Sequence, residues 1–190
     1  MQTPNSVFHA AIQRIDAANA QDPHGKELLY SQRMSAWLER IEPSASEALR
    51  LATRAQHIRR WAIPRSDYPM DRIGYLKWRT TLYKFHADEA ARILREVGYD
   101  EPTIDRVAAL VRKEQIKTDP DAQTLEDVIC LVFLENYFAD FAAGHDEDKV
   151  INILRRTWRK MSERGHKTAL TLEIPPAAKR LVERALSDEV

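Results

Sequence analysis

The scarcity of glycine constrains the fold of this chain more than any other sequence feature. Its 190 residues include five glycines, which leaves little room for the tight hairpins of an antiparallel sheet. Apolar residues recur at spacings of three and four, the period of an amphipathic helix. No run of alternating apolar and polar residues is long enough to require a strand. The sequence therefore predicts a single all-α domain of about seven or eight helices.

Capping residues, prolines and glycines indicate where these helices end. Ser44 and Glu47 have the spacing of a capping box, and so do Thr124 and Asp127. Gly98 is a suitable C-terminal stop for a long helix. The expected helices cover residues of about 6–20, 26–41, 44–61, 71–97, 102–116, 124–141 and 146–161, with a short helix after Pro175.

Composition excludes several classes of protein. Hydrophobic residues make up 44% and charged residues 31%, which argues against disorder. Lysine plus arginine equals aspartate plus glutamate at 29 each, so no global field recruits nucleic acid or a membrane. Cys130 is the single cysteine, so no intrachain disulfide forms, and its apolar flanks favour a buried, inert thiol. With neither a secretory signal nor an apolar run of membrane-spanning length, we expect a cytoplasmic protein.

Two histidines on expected helices are the strongest chemical signal. His86 shares a helix face with Leu82 and Ala90 and should point toward the core. His57 lies near the end of its helix. Each has an alternative interpretation, because His86 can be a hydrogen-bonded core residue and His57 can be favoured by the helix dipole.

Acidic residues follow these histidines on later helices. Glu114 continues an apolar stripe and either rises to solvent or enters a polar pocket. Asp127 shares a face with Cys130 and Leu131, but it is also the acid of the capping box with Thr124. Imidazoles and carboxylates from separate helices can together bind a metal ion in an all-helical domain.

Cations adjoin the same segments. Arg59 and Arg60 follow His57, Arg65 lies in a proline-containing loop, and Lys113 precedes Glu114. Such residues suit a phosphate or carboxylate ligand, although most charge runs are solvated faces. A separate basic stretch with one tryptophan, residues 155–160, weakly resembles a nucleic-acid surface.

Several stretches resemble a family described as domain of unknown function 4202. The resemblance runs nearly end to end and implies no activity. Its residues are His57-Ile58-Arg59-Arg60-Trp61, Pro64-Arg65-Ser66-Asp67-Tyr68-Pro69, Gly74-Tyr75-Leu76-Lys77-Trp78-Arg79, Phe85-His86-Ala87 and Gln123-Thr124-Leu125-Glu126-Asp127.

A more distant resemblance, over about residues 26–140, is to the HD superfamily of metal-dependent phosphohydrolases. It implies an orthogonal helical bundle in which His57, His86, Glu114 and Asp127 hold a divalent transition metal, with residues 145–190 as a helical extension. The sequence departs from the family pattern at two places. Ile58 replaces the aspartate of the His-Asp pair, and Tyr30-Ser31 stands where the first histidine is expected.

These observations support three functional hypotheses. The first is a hydrolase of a small phosphorylated compound or nucleotide, with Glu114 and Asp127 at the catalytic centre and Arg59, Arg60, Arg65 and Lys113 binding the substrate. The second is a non-catalytic HD-like scaffold that binds an anionic metabolite or a partner protein. The third is an RNA-interacting accessory protein that uses residues 155–160.

Overall fold

The computed structural model describes residues 4–187, which form ten α-helices and two short 3-10 turns without any strand. The all-α prediction is confirmed, and the helices outnumber the expected seven or eight. They are α1 (Pro4–Asn19), α2 (Glu27–Ile41), α3 (Glu47–Ala55), α4 (Arg72–Val97), α5 (Glu101–Val111), α6 (Pro120–Asn136), α7 (Phe138–Ala143), α8 (Glu147–Trp158), α9 (Glu163–Ala169) and α10 (Pro176–Ser187).

The chain divides into two compact units, Met1–Ala122 and Gln123–Val190. The first contains α1 to α5, the second contains α7 to α10, and the division falls within α6. A single domain with a 26–140 core and a 145–190 extension stays a prediction.

Helix α3 lies at the centre of the first unit. It packs against α1, α2, α4 and α5, and Leu49, Leu51, Ala52 and Ala55 are fully buried along it. The alanines leave room for neighbouring helices to approach closely on several sides. A nine-residue helix is too short to be stable alone, so this packing maintains it.

The second unit is built around the contact between α8 and α10, with α7 also packed on α10. Val150, Ile151 and Leu154 form the buried stripe of α8. Cys130 is 4% exposed, as expected for a buried thiol. It lies on α6, and its Sγ contacts the Thr157 carbonyl at 3.9 Å.

Both expected capping boxes are wrong. The N-cap of α3 is Ser46, whose Oγ accepts from the Leu49 amide at 3.1 Å, while the Ser44 hydroxyl donates to Glu42. Helix α6 begins at Pro120, so Thr124 lies inside the helix instead of at its end.

Two helices end earlier than the spacing predicts. Helix α3 ends at Ala55 instead of near Trp61, and α5 ends at Val111 instead of near Ile116. A left-handed residue follows each end, Arg59 at φ 50° and Lys113 at φ 62°. A left-handed residue cannot continue a right-handed helix.

None of the helices described within residues 4–187 is long and apolar enough to cross a membrane.

Replacing Ser46 by alanine should lower the free energy of unfolding by about 1 kcal/mol, because the Leu49 amide loses its acceptor. The matched Ser44→Ala variant should stay within about 0.5 kcal/mol of the parent. Urea denaturation followed by circular dichroism measures both values. Equal losses in the two variants would contradict the assignment of Ser46 as the cap.

Candidate functional site

The turn after α3 brings His57 and Arg60 to one place. The Ile58 amide donates to the Ala55 carbonyl at 3.0 Å, and the Arg60 amide donates to the His57 carbonyl at 3.0 Å. Arg59, between them, is held in the left-handed region, a conformation that costs a non-glycine residue about 1 kcal/mol or more. Such strain is common at functional sites.

His86 lies deep on α4 and is 1% exposed. Its Nδ1 lies 2.7 Å from the Ile58 carbonyl oxygen. Because a carbonyl only accepts, Nδ1 carries the proton and Nε2 is an acceptor in the neutral ring. That Nε2 is buried without a hydrogen-bond partner, which is unusual for a polar atom in a protein core.

The His57 ring lies beside His86, with the ring centroids 5.9 Å apart. It stacks on Tyr30 of α2 at 4.1 Å, with the two planes within 9° of parallel. Its Nδ1 lies 3.7 Å from Oε2 of Glu27, at the start of the same helix. We call the four residues Glu27, Tyr30, His57 and His86 the histidine cluster.

Three cations act electrostatically on His57. Burial is the main cause that holds the pKa of His57 well below its usual range, and the charges of Arg60, Lys113 and Arg79 lower it further. Burial and Arg60 lower the pKa of His86 to about 4, against the opposing effect of its bond to Ile58. Both rings are therefore neutral at pH 7.

Glu27 is the carboxylate of the histidine cluster. Burial raises its pKa to about 7, and the nearby Arg60 opposes this shift without cancelling it. Glu27 therefore takes up a proton at a pH closer to neutrality than an ordinary glutamate does.

Aromatic rings hold the cations in place. The Arg60 guanidinium lies over Trp78 at 4.7 Å, and the Lys113 Nζ lies 5.5 Å from the Tyr83 ring centroid. Arg79 lies 5.3 Å from the same ring and also donates to the Tyr83 hydroxyl. The backbone of Lys113 is in the left-handed region, so a second strained position adjoins the site.

Two of the four expected substrate-binding cations lie elsewhere. Arg59 pairs with Glu89 at 3.2 Å and lines an open cavity of about 230 Å³ between α1 and α4. Arg65 donates to the carbonyls of Tyr68 and Pro69, at 2.9 and 2.7 Å, and so fixes its own loop. Arg60 and Lys113 are at the histidine cluster.

The two acidic candidates are engaged in other contacts. Glu114 lies in the turn after α5, half-exposed and paired with Arg112 at 2.6 Å. Asp127 belongs to the second unit, where its carboxylate accepts from the Ser162 amide at 2.8 Å, from the Ser162 hydroxyl and from Gln123. A side chain at Gly165 would collide with this carboxylate. Asp127 therefore anchors the start of α9.

The four expected metal ligands do not form a donor set. Within residues 4–187, no group of three or more His, Cys, Asp or Glu side chains has an arrangement that could hold a metal ion. The divalent metal therefore stays a prediction from the sequence.

The basic stretch of residues 155–160 lies at the end of α8 and just after it. Arg155 donates to the Ala185 carbonyl at 3.2 Å, and Trp158 stacks on His166 at 4.0 Å. Arg155 and Trp158 therefore have partners within the second unit. Binding of RNA by this stretch stays a prediction.

Glu27, Tyr30 and Arg79 were not among the site residues expected from the sequence. On α2, Leu29 is 46% exposed, whereas Ser31, Met34 and Leu38 are buried. Counting back from those residues in steps of three and four reaches Tyr30 and Glu27, so the correct phase of the helix would have revealed them.

Comparisons with known proteins identify a family and no activity. A family described as Domain of unknown function (DUF4202) matches residues 9–182. Neither the curated proteins nor the solved structures include a match to this chain.

Replacing Glu27 by glutamine should stabilise the protein above pH 7. A folded pKa of about 7 against an ordinary value of 4.5 means that ionisation opposes folding. The free-energy cost of ionising Glu27 in the folded protein is absent below pH 4.5. It grows as the pH rises from 4.5 to about 7 and is complete above about 7. The shift corresponds to at most about 3 kcal/mol, which solvent screening reduces to about 2 kcal/mol.

Urea denaturation at pH 5 and pH 8 measures the free energy of unfolding of the parent and of Glu27→Gln. We expect the variant's advantage to increase between these two values. The Glu39→Gln variant, on the exposed side of the same helix, should show no such trend. An advantage that is independent of pH would show that Glu27 ionises normally.

Proposed function

This chain belongs to the DUF4202 family, and we propose that it binds a small phosphate-bearing metabolite at the histidine cluster. The observation that carries the proposal is that Arg60, Arg79 and Lys113 all lie over the rings of Trp78 and Tyr83, on the same helix as His86. The charges of all three also lower the pKa of His57. Arginine and lysine are the residues with which proteins bind phosphate, through bidentate hydrogen bonds or as a point charge.

The remaining groups of the site suit an anion. The two rings are neutral, so they add hydrogen-bonding capacity without charge, and Nε2 of His86 can accept from a phosphate or ligand hydroxyl. Glu27 would repel an anion if it were ionised. Its raised pKa lets it take up a proton when the anion binds, and it then donates a hydrogen bond.

Inorganic phosphate should bind the parent protein and raise its melting temperature, since a ligand that binds the folded state stabilises it. Arg79→Met and Lys113→Met remove one charge each and keep an apolar stem of similar length. Loss of one charge-assisted hydrogen bond should weaken binding about tenfold. Isothermal titration calorimetry measures the dissociation constants.

Lys84→Met is the matched control. Lys84 is on α4 like Arg79, but it is exposed and pairs with Asp88. This variant should bind phosphate as the parent does. If the parent fails to bind phosphate, or if all three variants lose affinity equally, the histidine cluster is not an anion site.

A metal-dependent, HD-like hydrolase is the second candidate. The observation that favours it is the state of the His86 ring, whose Nδ1 proton is held by a backbone carbonyl while Nε2 has no partner. Metal-ligating histidines commonly show this arrangement. However, residues 4–187 supply no three-donor group, so the hydrolase requires donors beyond those of the cluster.

Elemental analysis separates the two candidates. We expect protein purified without a metal-affinity tag to contain no stoichiometric transition metal, and incubation with zinc, manganese, iron or nickel should leave it so. The His57→Ala/His86→Ala double variant is the reference. Near-stoichiometric metal in the parent that is lost in this variant would favour the hydrolase over metal-free binding.

A further inference from the structure

The first turns of α4 expose an unusual amount of apolar surface. Among residues 4–187, six large hydrophobic side chains are exposed, and four of them lie within seven consecutive positions. These four are Met70, Ile73, Tyr75 and Leu76, exposed by 80%, 78%, 42% and 51%. Single exposed apolar residues need no explanation, but a cluster of them marks a binding surface.

Part of this apolar surface is continuous with the histidine cluster. Steps of three and four residues place Tyr75, Leu76, Arg79, Tyr83 and His86 along one face of α4. Exposure falls along this face from Leu76 at 51% to His86 at 1%. Along this face, exposed apolar residues come first, the cation Arg79 follows, and the buried imidazole of His86 comes last.

Arg79 contacts the aromatic rings on either side of it along this face. The Arg79 guanidinium lies 5.7 Å from the Tyr75 ring centroid and 5.3 Å from that of Tyr83. It also contributes to the low pKa of His57. Arg79 thus adjoins both the apolar surface and the proposed phosphate position.

The loop before α4 is firmly held beside Tyr75. The Pro69 carbonyl occupies the space where a side chain at Gly74 would lie, so the loop before α4 packs directly on the helix. Arg65 holds that loop through the carbonyls of Tyr68 and Pro69, and its guanidinium lies 6.0 Å from the Tyr75 ring. Because this loop is already held in place, a ligand does not have to order it on binding.

We propose that the ligand is an amphipathic phosphate ester, with its phosphate at Arg60, Arg79 and Lys113 and its apolar body along Tyr75 and Leu76. This inference rests on the proposed function, because it assigns the phosphate to the same cations. It favours an apolar body over a hydrophilic one such as a sugar, because only an apolar body removes its own apolar surface and that of Leu76 from water together.

The dimensions of α4 set the length of this body. A rise of 1.5 Å per residue places Leu76 about 5 Å, and Arg72 about 10 Å, from Arg79 along the helix axis. A short alkyl chain or one aromatic ring therefore reaches Leu76 from a phosphate held by Arg79. An alkyl chain that extends past Arg72 has no further surface of α4 to contact, because the helix begins at that residue.

Titration calorimetry with inorganic phosphate, butyl phosphate and hexyl phosphate tests the inference. Affinity should rise from phosphate to hexyl phosphate by roughly twofold per methylene, because an open surface buries about half of each group. The Leu76→Ser variant should bind hexyl phosphate about tenfold more weakly than the parent does. Its affinity for inorganic phosphate should equal that of the parent.

Ile73→Ser is the matched control. Ile73 is more exposed than Leu76, but it lies about 120° around the helix from Arg79, whereas Leu76 lies about 60° from it. Ile73→Ser should keep the full affinity gain of the alkyl chain. Thermal unfolding of both variants, without ligand, confirms that they fold.

The outcomes separate this inference from the proposed function. Binding of inorganic phosphate with no gain from the alkyl chain overturns the amphipathic ligand and leaves phosphate binding intact. No binding by any of the three compounds overturns both. Leu76→Ser and Ile73→Ser could also lose the affinity gain of the alkyl chain equally. That result would mean that the whole apolar surface contributes, as in a contact with a membrane or a protein, and it would overturn the inference.

Discussion

The hydrogen bond from Nδ1 of His86 to the Ile58 carbonyl organises the first unit around its site. It connects the long helix α4 to the turn that follows the central helix α3. The carbonyl fixes the ring state of His86 and leaves the buried Nε2 as an acceptor. The same turn carries His57 and Arg60, so this one bond also fixes where the second ring and one cation lie relative to the first.

Several features that oppose folding are concentrated at this place. Arg59 and Lys113 adopt left-handed backbone conformations, Glu27 is partly buried with a raised pKa, and Nε2 of His86 has no partner. Each of these costs free energy when no ligand is bound. Nδ2 of Asn19, Oγ1 of Thr53 and Oε1 of Gln56 are also buried without a partner, but strained backbone and a raised carboxyl pKa accompany the unpaired atom at the histidine cluster. A ligand that supplies charge and hydrogen bonds would offset part of these costs.

The sequence predicted the fold class better than the details of the elements. Long helices with strong end signals were placed accurately, as α4 shows with its stop at Gly98. Capping was misassigned where several candidate residues stood close together, because Ser44 and Ser46 both precede α3 and only packing selects between them. Of the expected site residues, His57 and His86 lie side by side, with ring centroids 5.9 Å apart. The contact of Asp127 with Ser162 was not foreseen, because Ser162 lies far along the chain.

By itself the sequence determined that the chain is helical and that two histidines are accompanied by cations. Both properties depend on the local spacing of residues, because the period of a helix alone determines which residues share a face. Only the tertiary structure decided which groups meet. Glu27 and Tyr30 contact His57 from α2, and the charge of Arg79 on α4 lowers its pKa, while Arg59 pairs with Glu89. These contacts depend on helix packing and on two left-handed residues, which no local pattern specifies because their conformational cost is offset by the rest of the fold.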